Sequence, residues 1–364
     1  MGSGPVALGL VGCGAIGQVH AAGLQALAEE GLCRPVVAAD PDARARSALS
    51  RNCQFERWAS EPLEVVLDPQ VEAVMIASPT WTHPQLVSAC LQARKPVFCE
   101  KPLATSFADV VELVREAEAS GVVAQVGFHN RFHPLLNHLR SLVGSGAHGR
   151  PMAYSVRDDQ FWPTGSVVPG HSSWRSSRHQ AGGGALLEHS IHSADLLGWI
   201  FGPVRRVFGF SRNVFGFDVE DAACVSIEHD SGVIGSLTTV FNSVQGREER
   251  RFEVFFEKAA VEVTTDFLVG AREDSFSVQE PGSPPASLDV AELRQRFFDS
   301  IDLRGRNFAF YTYTSDRSFL EAVAAGSQAS PNFGDGLAAH ALVEASYRSM
   351  RSGQPVVLEE LGQR

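Results

Sequence analysis

Apolar and polar positions follow two different patterns along this chain, and the change falls near residue 128. Before it, short β-branched runs predict strands at residues 6–11, 36–39, 71–77, 97–100 and 122–127. Helical segments over 19–30, 41–51, 84–93 and 107–120 separate them, the second opened by Pro41. Val74, Met75 and Ile76 form an unbroken apolar run that suits a strand buried on both faces. Strand and helix in regular alternation predict a doubly wound parallel sheet with crossover helices.

After residue 128 the pattern predicts a helix over 134–142, a strand over 152–160, a loop over 161–184 and a helix over 185–201. Strand-like runs then succeed one another at 204–213, 222–229, 233–241, 252–256 and 259–265. Strands with no helix between them imply an antiparallel sheet. Residues 275–285 read as a surface loop, and helices over 312–325 and 336–351 close the chain. A length of 364 residues allows two domains with separate cores. The expected fold is α/β: a doubly wound domain over 1–128, then an α+β domain with a mostly antiparallel sheet over 129–364.

Composition narrows the function classes. The chain has 31 Lys and Arg against 42 Asp and Glu, a net charge of −11, and no clustered basic stripe, which argues against nucleic acid as a partner. The start has no basic region followed by an apolar core, so no secretory signal is expected. The longest apolar stretch, residues 6–17, is too short and too rich in glycine to span a bilayer. Cys13, Cys33, Cys53, Cys90, Cys99 and Cys224 form no CxxC pair and read as reduced, mostly buried thiols of a cytoplasmic protein.

Gly12-Cys13-Gly14-Ala15-Ile16-Gly17 fits G-x-G-x-x-G between a predicted strand and a predicted helix. Gly12 permits the tight turn, Gly14 lets backbone approach a pyrophosphate, and Gly17 lets helix and strand pack closely. Asp40 ends the next strand, where a carboxylate bonds the adenosine ribose and repels a 2′-phosphate. The expected cofactor is NAD rather than NADP, with Arg44 and Arg46 close enough to leave strictness open.

Further motifs stand in a fixed order. Ser78-Pro79-Thr80 and His83 follow the third strand, and Glu100-Lys101-Pro102 ends the fourth. Residues 127–134 (Gly-Phe-His-Asn-Arg-Phe-His-Pro) follow the fifth, and the run from Gly182 to Asp195 opens the long helix of the second half. This set resembles the glucose–fructose oxidoreductase, inositol dehydrogenase and rhizopine-catabolism (Gfo/Idh/MocA) family over nearly the whole chain. The resemblance implies an N-terminal Rossmann domain, a C-terminal domain with an open antiparallel sheet, and oxidation or reduction of a hydroxyl or keto group on a sugar, anhydrosugar or cyclitol. It implies that Ser78, Pro79, Thr80, His83, Glu100 and Lys101 lie along the cofactor, and that the peptide bond before Pro102 is often cis. It further implies a homodimer or homotetramer joined through the outer face of the sheet. Within the family two other activities occur: glycoside cleavage through transient oxidation with held NAD, and sugar sensing without catalysis.

Oxidising a secondary alcohol requires a base near the carbon that faces the nicotinamide. His192 is one candidate. Glu188 lies four residues earlier, and on a continuous helix the two share a face with Asp195 and Trp199, so that the carboxylate would orient the ring. Where the family usually has Asp and Gly, this chain has Glu188 and Ser190, which leaves open whether Glu188 orients His192 or touches substrate. Lys101, at a strand end, is the second candidate, and the sequence leaves open which group takes the proton. His129 and Arg131 are expected near the substrate. Pro134 argues against a continuous helix through His129 and His133. The loop over 161–184 carries Trp162, His171, Trp174, Arg175, Arg178 and His179, residue types that stack on sugar rings or bond hydroxyls. No ligand spacing supports a metal centre.

Overall fold

The computed structural model of the chain describes residues 4–161, 173–244, 248–265, 273–301 and 311–362. The first sheet consists of β1 (Val6–Val11), β2 (Cys33–Ala39), β3 (Arg57–Ala59), β4 (Ala73–Ile76), β5 (Val97–Cys99) and β6 (Ala124–Val126). All its neighbours are parallel, in the order β3-β2-β1-β4-β5-β6. The crossovers carry α1 (Ala15–Glu29), α2 (Ala43–Leu49), α3 (Pro62–Leu67), α4 (His83–Gln92) and α5 (Phe107–Ser120). Every residue of β1 and β4 is buried, as their continuous apolar runs require. The strand order reverses between β1 and β4, which opens a crevice beyond their carboxyl ends.

The second half contains α6 (Pro134–Ser145), β7 (Pro151–Phe161), a short α7 (Arg178–Ala181), α8 (Ile191–Phe201), β8 (Val204–Arg212), β9 (Ala222–His229) and β10 (Ile234–Asn242). It continues with β11 (Glu249–Phe256), β12 (Ala260–Thr265), β13 (Ser275–Gln279), β14 (Ala286–Ser287), α9 (Val290–Ser300), α10 (Thr312–Ala325), α11 (Phe333–Ser352) and β15 (Val356–Val357). Nine strands form one sheet in the order β14-β13-β12-β11-β7-β10-β9-β8-β15. All neighbours are antiparallel except β7 and β10, which run parallel. The inner face, with Val156, Val225, Leu237, Phe252 and Val263, joins Leu187, Leu197 and Leu342 and the first sheet's Val74 and Val126 in one apolar core. Tyr313, Phe319 and Leu320 of α10 pack with Leu8, Leu24, Met75 and Phe98 on the other face of the first sheet. The chain thus returns at its end to cover the domain it began with. No described helix is long and apolar enough to cross a membrane.

Three expectations need correction. Residues 275–285 are not simply a loop: β13 pairs with β12, and Phe276 is buried, its apolar signal masked by the Ser, Gly and Pro around it. The helix expected over 185–201 is broken, because the Ser190 N–H reaches back five residues to the Ala185 carbonyl at 2.9 Å and α8 begins only at Ile191. Besides the single turn α7, the helices α3 and α9 escaped notice, although both start at capping signals. Asp289 accepts the N–H groups of Ala291 and Glu292, and Glu61 and Glu64 form a reciprocal capping box.

The glycines at 182–184 allow three close approaches. A Cβ on Gly182 would lie 2.3 Å from the Thr105 carbonyl oxygen, on Gly183 2.1 Å from the Tyr347 hydroxyl, and on Gly184 1.8 Å from the Glu220 carbonyl oxygen. At Gly198, inside α8, an added Cβ meets nothing within 4 Å. Gly184→Ala is therefore expected to lower the unfolding free energy by about 3 kcal/mol or more through overpacking. Gly198→Ala should raise it by about 0.5–1 kcal/mol through helix propensity. Urea unfolding of the two variants checks both signs.

Candidate active site

The chain leaves β1 through Gly12, whose φ is +99° and where a Cβ would sit 2.6 Å from the backbone of Ala77 and Ser78. A Cβ on Gly17 would lie 2.2 Å from the Gly12 carbonyl oxygen, so α1 reaches this turn only with hydrogen at that position. Gly14 faces open space: a Cβ there meets nothing within 4 Å. Gly14 is also the N-cap of α1, no side chain caps the first turn, and that turn, opening with Ala15 and Ile16, holds no acid. Asp40 accepts the Cys13 N–H with Oδ2 and the Asp42 N–H with Oδ1, each at 2.8 Å. Arg46 donates to the Asp40 carbonyl. An open backbone face, free helix amides and a carboxylate beside the turn fit a dinucleotide: the amides suit its pyrophosphate and Asp40 its ribose.

Lys101 follows β5 across a cis bond to Pro102. The turn is fastened from below by Glu100, which is buried and accepts the Lys101 N–H at 3.1 Å with Oε2. Its other oxygen lies 3.1 Å from His20 Nε2, and His20 Nδ1 lies 2.9 Å from both carboxylate oxygens of Asp316. Burial alone would lower the His20 pKa, but Asp316 and Glu100 raise it to about 10, so the ring is an imidazolium between two carboxylates. His83 spans the two turns, with Nδ1 2.8 Å from the Pro102 carbonyl and Nε2 2.8 Å from the Ser78 carbonyl. Its ring and the Glu100 carboxylate are thus committed to backbone and to neighbouring side chains.

The wide turn at residues 185–189 faces this lysine. Glu220 caps it, accepting the N–H of Gly184 at 3.0 Å and of Leu186 at 3.1 Å. The Glu188 carbonyl accepts from Lys101 Nζ at 2.9 Å, which brings the strand end and the helix start together. The expected pairing of Glu188 with His192 does not form. Closing a turn over five residues rotates Glu188 away, and its carboxylate accepts from Thr80 Oγ1 at 3.0 Å and lies 3.4 Å from Arg175 Nε. Burial pushes the Glu188 carboxyl up, against the pull of Arg175, Lys101 and Thr80. Burial likewise lowers the Lys101 ammonium, aided by Arg175 and Arg250 and opposed by Glu188 and Glu100.

His192 is buried, and neither ring nitrogen has a hydrogen-bond partner among the described residues. Its ring meets His129 edge-on with centroids 4.5 Å apart, and Phe128 at 6.0 Å. Burial drives its pKa well below the usual imidazole range, with His129 and Lys101 acting the same way. Burial also lowers His129, to about 4, so both rings are neutral. Behind them Asp158 lies 2.9 Å from His189 Nε2 and 3.2 Å from Arg250 Nη2, and accepts from Ser193 Oγ at 2.6 Å. Against burial, Arg250 and His189 hold this carboxyl well below the ordinary range.

Arg131, expected near the substrate, is engaged by carboxylates of two helices. Its guanidinium grips Asp195, with Nε at 2.9 Å, reaches Asp335 at 3.1 Å, and lies over Trp199, so it joins α8 to α11. Trp174 packs edge-on against Trp81 at 5.5 Å and carries Arg175 over its face at 4.2 Å, which docks this segment beside Thr80. Trp162 and His171 lie outside the described residues. His133 stands as the N-cap of α6, after a short turn that holds His129, so no helix runs through both. The buried partners His20, Asp316, Asp158, Arg250 and Glu220 were missed. A histidine on the apolar face of α1 was the one local signal, and the others become visible only once distant segments meet. Among the described residues no cluster of three His, Cys, Asp or Glu could hold a metal ion.

Residues 6–128 match the model of the oxidoreductase family with an NAD-binding Rossmann fold, and residues 136–262 match the GFO/IDH/MocA C-terminal domain. The myo-inositol 2-dehydrogenase of Thermotoga maritima is 27% identical over 97% of this chain and 99% of its own length. The inositol 2-dehydrogenase of Rubrobacter xylanophilus is 30% identical over 98% of this chain and 94% of its own. Among solved structures, a levoglucosan dehydrogenase in complex with NADH superposes with a TM-score of 0.86 at 22% identity, over 97% of this chain and 99% of that one, a likeness of fold. The chain belongs to the GFO/IDH/MocA family of NAD-binding oxidoreductases.

Proposed function

We propose that this oxidoreductase moves a hydride between NAD and a secondary alcohol carbon of a cyclitol, sugar or anhydrosugar, with Lys101 as the proton acceptor. The observation that carries this reading is Lys101 Nζ 2.9 Å from the Glu188 carbonyl, beside the unpartnered ring of His192. The names of the relatives, inositol dehydrogenases in sequence and a levoglucosan dehydrogenase in fold, support the substrate class.

Bound NAD would supply the hydride acceptor. The amides at Gly14 and the α1 N-terminus would hold the pyrophosphate, and Asp40 would hold the ribose. Burial shifts Lys101 towards the neutral amine that removes the hydroxyl proton. One of its N–H groups stays on the Glu188 carbonyl, which anchors Nζ near the ring of His192. Neutral His192 hydrogen-bonds the reacting oxygen, and His129 supports its ring. Glu188 acts as a latch: through Thr80 and Arg175 it holds Trp174, whose face suits the C–H surface of a sugar ring. The outer face of the nine-stranded sheet leaves Phe210 (62% exposed), Ile234 (56%) and Phe255 (44%) to solvent, and a second copy of the chain covers it.

Four outcomes follow. In a screen of NAD with myo-inositol, scyllo-inositol and levoglucosan, at least one should yield NADH. NADH binding with no turnover on any polyol would sink the reading. The kcat/KM for oxidation should rise with pH through a group titrating below the ordinary lysine value of 10.5, and Lys101→Met should remove that limb and about a hundredfold of the rate or more. Asp40→Ser should raise KM for NAD about tenfold and narrow the preference over NADP, read from initial rates with each cofactor. For the sheet face, Phe210→Asp with Ile234→Asp should reduce the molar mass measured by light scattering; an unchanged mass would exclude this interface.

A further inference from the structure

We propose that α11 aligns the two halves of the active site, and that His340 on this helix is a positioning residue for Lys101; this rests on the reading of Lys101 as the proton acceptor.

The turn that presents Lys101 is held by its backbone. Glu100 takes the Lys101 N–H, His83 meets the Pro102 carbonyl, and His340 Nε2 accepts the Leu103 N–H at 3.2 Å. Leu103 is fully buried, so without His340 that N–H would have no water to turn to. The same helix receives the Leu103 side chain: a Cβ on Gly336, one turn before His340, would lie 2.5 Å from Leu103 Cδ1. Burial lowers the His340 pKa to about 3, which keeps the ring neutral and Nε2 able to accept at any working pH.

Tyr347 lies seven residues after His340, two turns along the same face of α11. Its hydroxyl donates to Glu220 Oε1 at 2.7 Å, and Glu220 is the side chain that caps Gly184 and Leu186 at the wide turn. One rigid helix therefore holds the backbone behind Lys101 with His340 and the cap of the turn that offers the Glu188 carbonyl with Tyr347. The contact between Lys101 Nζ and that carbonyl is set by the spacing of these two side chains. Neither touches the crevice at the glycine turn, so the expected defect is in turnover and not in cofactor binding.

The test compares two amides of different reach. His340→Gln places an acceptor at the same number of bonds from the backbone as Nε2, and His340→Asn places it one bond short. With NAD and myo-inositol as the probe substrate, His340→Asn should lose about tenfold in kcat with KM for NAD unchanged, and His340→Gln should recover kcat to near the wild-type value. Amide hydrogen exchange at Leu103 should be slow in the wild type and in His340→Gln, and faster in His340→Asn. Wild-type kcat in His340→Asn, equal losses in both variants, or a loss confined to KM for NAD would overturn the proposal. Fast exchange of Leu103 in the wild-type protein would overturn it whether or not the variants fold. Lys101→Met separates the two readings: if it abolishes turnover while His340→Asn does not, only the alignment fails, and if it retains turnover, the role of Lys101 itself is wrong.

Discussion

A hydrogen bond from Lys101 Nζ to the Glu188 carbonyl joins the two halves of this enzyme at the candidate site. It sets the lysine against the neighbouring imidazoles, and most of the packing nearby can be understood as what makes that distance attainable. The lysine turn needs Gly127, where a Cβ would lie 2.5 Å from Glu100 Oε1. The carbonyl needs a turn closed over five residues, which an ordinary helix would have folded into its own ladder. Displacing either partner by about an ångström would cost a large part of the benefit of positioning.

Around that contact the protein handles buried charge by grouping it. His20 stands between Glu100 and Asp316; Arg250 and His189 flank Asp158; Arg131 joins Asp195 and Asp335. A buried ion without a partner costs several kcal/mol, so each set persists only as a whole. Three residues in this region are left neutral or raised by burial without a close counter-ion or with a weak one: His129, His192 and Glu188. Perturbed groups that face a crevice are where a ligand gains most from forming hydrogen bonds.

Much of this was legible in the sequence because its signals are local. The glycine turn, Asp40, the apolar β4 run and the motif around Lys101 each act within a few residues, and the structure places them at one crevice. The relation of Glu188 to His192 was misread because spacing alone assumes a regular helix, and the wide turn at residues 185–189 is made by Glu220, more than 30 residues downstream. The partners of Arg131 were not legible either, since Asp195 and Asp335 reach it from two distant helices. β13 was hidden because a short strand with one buried aromatic leaves little periodicity to detect.

The order in which this chain can complete itself follows from where α10 lies. The sheet that carries the glycine turn is finished in sequence by Val126, yet one of its faces is covered by Tyr313, Phe319 and Leu320, and Gln125 donates to the Ser315 carbonyl at 2.9 Å. Asp316 reaches His20 from the same helix. During synthesis the first-made domain therefore waits, with apolar surface bare and a histidine lacking one of its two carboxylates, until α10 has emerged from the ribosome.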